Sequence, residues 1–221
     1  MVISRTFGFC LLSLFVLPSQ SSATTVLPAA WNFDRQEVSL FERGKVVNRA
    51  QSLADDVEEV TAFLQIEAPI ESIFYIIIDY ESLPEYMPNL ASVEVLENTN
   101  SMALVNYHLS LPFGVKKSYR LKLEYDIQPH ESWVSWQLVP QPSLKADETI
   151  TSTVGFFHLI KANTPHRTWL HYDTQTNPGG VPFGLGWLVE ILTQKTVVKM
   201  LEETKERAEK KWQTTEINSD E

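Results

Sequence analysis

The chain has 221 residues, 43% hydrophobic and 21% charged, with a net charge of −10, which is the composition of one ordinary globular domain with short extensions. Such an acidic chain is a poor partner for nucleic acid or an anionic lipid surface.

A single basic residue, Arg5, precedes an almost wholly apolar run from Thr6 to Leu17, then Pro18 and the small residues Ser21-Ser22-Ala23. That order predicts a secretory signal over residues 1–23, cleaved after Ala23, and export to a bacterial periplasm. The run is too short to span a bilayer, which takes about 20 apolar residues, and no later segment is long and apolar enough. Arg5 is the only charged residue removed, so 17 basic residues face 28 acidic ones in the mature chain, a net charge of −11. Cys10 is the only cysteine and lies inside the signal, so the mature chain is expected to hold no disulfide.

Residues 24–40, with Pro28 and Trp31 but no clear period, are expected to form an arm on the domain. Phe41 to Gln51 and Val57 to Ile66 read as strands, with Val60, Ala62, Leu64 and Ile66 on one side of the second. Pro69 opens a helix in which Ile70, Ile73, Phe74 and Ile77 recur at helical spacing, ending near Tyr80. From Ala91 to Thr176 the alternation is that of antiparallel strands. One set is Ala103, Val105, Tyr107, Leu109 and Leu111; another is Tyr119, Leu121, Leu123, Tyr125 and Ile127; a third is Val134, Trp136 and Leu138. Pro112-Phe113-Gly114, Gln128-Pro129-His130 and Ala162 to Pro165 supply turns. A long amphipathic helix is predicted from Gly184 to Lys211. Leu185, Val189, Leu192, Thr193, Thr196, Val197, Met200, Thr204 and Ala208 share one face of it, with Lys195, Lys199, Glu202 and Glu206 on the other. A polar tail over 213–221 follows.

A strand, a helix opened by Ala68-Pro69, an antiparallel meander and a long terminal helix resemble the START-like superfamily. Asp79-Tyr80, Pro84 to Pro88, Val93 to Glu97, Leu109 to Phe113, Tyr119-Arg120, Ser132-Trp133 and Asp173 to Gly180 strengthen the likeness. The nearest group is the polyketide cyclase/dehydrase and lipid transport family, which includes coenzyme Q-binding START proteins. The resemblance spans about Phe41 to Lys211 and implies an α+β helix-grip fold: residues 41–212 as a curved antiparallel sheet around the long helix, with an internal apolar cavity for a lipid, a quinone or another hydrophobic molecule. It supplies no catalytic triad, and fold alone does not give function.

The cavity wall is then expected to include Tyr107, Leu109, Tyr119, Leu121, Leu123, Trp136, Val154 and Phe156 from the strands, with Val189, Leu192, Thr196 and Met200 from the helix. Ser152 and His158 share the phase of Val154 and Phe156. The apolar Val181, Pro182 and Phe183 read as a portal. An ordinary packed core is the competing reading of each wall residue. Asp79 and Glu85 read as turn fittings bonding free backbone N–H groups rather than as a catalytic pair. His158 and His171 fall on neighbouring strands without further ligands to complete a metal set. No nucleophile elbow or phosphate-binding loop is present. The sequence therefore points to an exported, monomeric carrier of a hydrophobic molecule, without catalytic residues, metal or cofactor. Two alternatives remain: a cyclase/dehydrase-type enzyme using Tyr107, Tyr119 or His158, and a module docking an envelope protein through the Trp31 arm.

Overall fold

The computed structural model describes residues 27–180 and 194–219 and divides after Asn32 into two units. In the first, the described residues hold a 3-10 turn over Ala29–Trp31, closed by Asn32 in left-handed backbone. The expected signal and its cleavage site lie outside the described residues.

The second unit begins with a helix that the strand reading missed, α1 (Arg35–Glu42). The Asp34 carboxylate accepts from the N–H groups of Gln36 and Glu37 at 2.7 and 2.8 Å, and the Glu37 carboxylate accepts from Asp34 N–H at 2.9 Å. This reciprocal cap holds the first turn. Gly44, at φ 65°, ends the helix: its N–H meets the Phe41 carbonyl, and Lys45 N–H meets that of Leu40. Phe41 is thus buried in a helix, not a strand, and residues 35–40 are not an irregular arm.

Among the described residues eight antiparallel strands follow: β1 (Val47–Ser52), β2 (Glu58–Ile66), β3 (Leu90–Asn98), β4 (Met102–Ser110), β5 (Lys116–Ile127), β6 (Glu131–Val139), β7 (Ser152–Lys161) and β8 (Thr168–Asn177). Their order is β1-β2-β8-β7-β6-β5-β4-β3, so each strand neighbours its successor except that β2 joins β8. Register shifts in β3, between Leu90 and Ser92 and between Val95 and Glu97, interrupt its ladder with β4. The fold is an α+β helix-grip, a curved open sheet closed by helices.

Val60, Ala62, Leu64 and Ile66 are fully buried on β2. Between β2 and β3 comes α2 (Ile70–Ile77), which buries Ile70, Ile73, Phe74 and Ile77. The last helix, α3 (Thr196–Ser219), continues past Lys211, so most of the expected tail is helical; Thr214 and Thr215 donate to the carbonyls of Lys210 and Lys211. No glycine or proline stands there to break it. Val197, Met200, Leu201, Thr204 and Ala208 are buried, while Lys199, Glu202 and Glu206 are exposed. Lys205 Nζ donates to the Gln65 carbonyl at 2.7 Å and pairs with Glu209, whose carboxylate accepts from Glu67 N–H at 2.9 Å. These bonds tie α3 to the end of β2.

Candidate functional site

Between α3, α2 and the inner face of the sheet lies a cavity of about 170 Å³. The alternation that builds a strand sends every second side chain to this face. Tyr107 and Leu109 of β4, Tyr119, Leu121 and Leu123 of β5, Trp136 of β6, and Thr196 and Met200 of α3 all line it. Val189, Leu192 and the expected portal residues Val181, Pro182 and Phe183 lie outside the described residues.

Two expected wall residues are elsewhere. Val154 is 53% exposed and sits with Phe156 on the outer face, where Ser152 and His158 share their phase; Thr153 and Phe157 line the cavity instead. The reason is opposite Gly155. Trp136 is its register partner, and the indole occupies the inner-face space where a Cβ on residue 155 would lie.

Several wall residues escaped the sequence reading. Ile77 of α2, followed by Tyr80, Leu83, Tyr86 and Met87 around a 3-10 turn over Leu83–Glu85, closes one side. Tyr172, Thr174 and Thr176 come from β8. Aromatic side chains after a helix end were the available signal for Tyr80 and Tyr86. The phase of β8 would have given the others.

The wall is aromatic and uncharged. Tyr107 and Tyr119, register partners, stack at 5.2 Å with 7° between their planes. Trp136 tilts against Phe157 at 5.4 Å and Tyr172 at 5.5 Å. Tyr80 and Tyr125 share a hydroxyl hydrogen bond of 2.5 Å, and Tyr86 donates to the Ile76 carbonyl at 3.3 Å. The hydroxyls of Thr153 and Thr176 are 2.7 Å apart, and Thr174 donates to the Val154 carbonyl at 3.2 Å. Thr204 bonds the Met200 carbonyl within α3. Among the described residues, no Asp, Glu, Lys, Arg or His lines the cavity. Burial raises the phenols of Tyr80, Tyr107, Tyr119 and Tyr172 well above the usual range, and pushes Tyr86 up to about 12. They stay protonated at any ordinary pH.

Asp79 and Glu85 are exposed and neither lines this space. Glu85 reaches Arg207 at 3.5 Å rather than a backbone N–H, and Arg207 lies over the Tyr86 ring at 4.1 Å. His158 and His171 are register partners on the outer face. There His158 stacks on Trp133 at 3.6 Å, with Nε2 3.1 Å from Glu131, and His171 stacks on Phe63 at 4.6 Å. His158 therefore has no access to a cavity substrate. Among the described residues, no group of three His, Cys, Asp or Glu side chains could hold a metal ion, and no helix is long and apolar enough to cross a membrane.

Lys117 was also unforeseen. It is 2% exposed, and its Nζ donates to the carbonyls of Thr149 at 2.9 Å, Gly180 at 3.0 Å and Asp147 at 3.3 Å. Burial lowers its pKa, opposed by nearby Asp147. Three carbonyl dipoles satisfy the ammonium, which ties β5 to two loops.

A curved sheet gripping a helix over an aromatic, uncharged cavity defines the helix-grip class of START-like proteins. The chain belongs to the polyketide cyclase / dehydrase and lipid transport family, whose model matches residues 66–205. A STAR-related lipid transfer protein fragment from Xanthomonas axonopodis is similar, with a TM-score of 0.63 and 16% identity over 74% of this chain and 93% of that one. Human STARD10 gives 0.62 and 15%, over 89% and 87% of the two chains. A Streptomyces aromatase/cyclase gives 0.52 and 14%, over 69% and 94%. At these identities the likeness concerns the fold. A comparison with curated proteins finds no match.

Proposed function

We propose that the protein binds and carries a hydrophobic small molecule in this cavity and releases it unchanged. The observation that carries the reading is the wall itself: apolar and aromatic, with hydroxyls as its polar groups and no ionisable acid–base pair among the described residues. Such a surface favours burial of an apolar ligand and offers little for proton transfer. The strand and α3 residues that line the cavity make the contacts. The protein acts as a monomer and takes no nucleic acid. Residues 1–23 direct its export to the periplasm, and N-terminal sequencing of the mature protein is expected to begin at Thr24; an intact Met1 would defeat that.

Native mass spectrometry before and after organic extraction tests the carrier reading. A releasable lipid or quinone supports it, whereas an empty protein that also rejects a lipid panel overturns it. A second reading, a cyclase acting on a polyketide-like substrate, draws on the Tyr107 and Tyr119 hydroxyls as orienting groups. Turnover of an aromatic polyketide would favour it.

A further inference from the structure

We propose that the cavity selects an uncharged apolar molecule carrying a hydroxyl or ketone oxygen, which the hydroxyls of Tyr107 and Tyr119 hydrogen-bond, and that it rejects ionised lipids. This rests on the carrier reading and names its ligand class.

The hydroxyls on the wall differ in what they meet. Those of Tyr80, Tyr86, Thr153, Thr174, Thr176 and Thr204 are engaged with protein groups, and the Tyr172 phenol has a side-chain hydrogen bond with Thr174. Those of Tyr107 and Tyr119 meet no hydrogen-bonding group among the described residues, although Tyr107 is only 5% exposed and both side chains line the cavity. Neither hydroxyl is sealed within the wall, so an oxygen arriving at either one takes a hydrogen bond that no protein group among the described residues supplies. The rings stack within 7° of parallel on adjacent strands, so both hydroxyls belong to one aromatic pair on the wall. Their protonated state makes each a donor as well as an acceptor.

Among the described residues, the same wall offers no counter-charge to a phosphate or carboxylate. Lys117 is occupied by three carbonyls, and Arg207 by Glu85 and the face of Tyr86. An anion entering would lose its hydration without a counter-charge.

Naphthalene, 2-naphthol and 2-naphthoate share one ring skeleton and separate the terms. The cavity, about 170 Å³, is of the size that admits an aromatic ring. Calorimetric titration near neutral pH is expected to show 2-naphthol binding about 3- to 10-fold tighter than naphthalene, and 2-naphthoate weakest. Replacing both tyrosines (Tyr107→Phe with Tyr119→Phe) should erase the preference, so that the variant binds 2-naphthol and naphthalene equally; a preference that survives the replacement overturns the inference. Equal binding of naphthalene and 2-naphthol by the unaltered protein, or tightest binding of 2-naphthoate, overturns the inference while leaving the carrier reading intact. Binding of none of the three overturns it together with that reading.

Discussion

Trp136 and Gly155 face each other across β6 and β7, and a Cβ on residue 155 would lie 2.4 Å from Cζ2 of the indole and 2.4 Å from the Asp173 carbonyl oxygen. The glycine leaves the space that the indole occupies. Gly155→Ala must push the indole toward the cavity or part β7 from β8. It is expected to destabilise the fold by about 1–3 kcal/mol and to weaken ligand binding. Thermal melting measures the first effect and naphthalene titration the second; an unchanged melting curve would place the indole elsewhere.

Thr196 and Met200 lie one turn apart on the cavity side of α3. Thr196→Trp should fill ligand space, lowering naphthalene affinity about tenfold or more while melting changes little. Lys199→Trp, on the exposed side, is the control and should do neither. Early melting of the Thr196 variant would mean a packed interior, since overfilling costs about 1–3 kcal/mol.

The pH dependence of stability should carry a contribution from His171. Burial, with His158 adding to it, lowers its pKa from 6.5 to about 4. Between those values the unfolded chain holds a proton that the folded chain does not, so stability falls as the pH drops from 6.5 to about 4. His171→Phe keeps a flat ring against Phe63 and removes the titration. Its loss of stability over that interval, followed by urea unfolding, should be smaller than the unaltered protein's by about 1–3 kcal/mol. Parallel profiles would show that His171 titrates normally.

Asp79→Asn and Glu85→Gln, singly or together, should leave ligand affinity unchanged and shift stability by no more than about 0.5–1 kcal/mol, the worth of an exposed ion pair such as Glu85–Arg207. A large loss of binding or turnover in either variant would restore the catalytic-pair reading.

The order of strands and the long helix were legible because period-2 and period-3.6 patterns were strong in Tyr119 to Tyr125 and in Val197 to Ala208. The inner face of β7 was not. Val154-Gly155-Phe156-Phe157 is apolar in both phases, and the larger side chains of Val154 and Phe156 outweighed a glycine whose role depends on Trp136 across the sheet. Helix α1 did leave a signal, Asp34 three residues before Glu37, but the apolar residues near Phe41 suited a strand equally well. Lys117 could not be placed inside from sequence, because its partners are carbonyls of loops 30 to 63 residues away.

The single departure from neighbour-to-neighbour pairing, β2 against β8, also shapes how the chain reaches its fold. Strands β3 to β8 can pair successively as hairpins, each closing a short loop. By contrast, Thr61 meets Asp173 across 112 residues of chain. During synthesis β2, with four fully buried apolar residues on its inner face, emerges first among these and waits with that edge unpaired until the last strand follows. Loop-closure entropy makes this joining the slow step, and the waiting edge is the segment most open to pairing with another nascent chain.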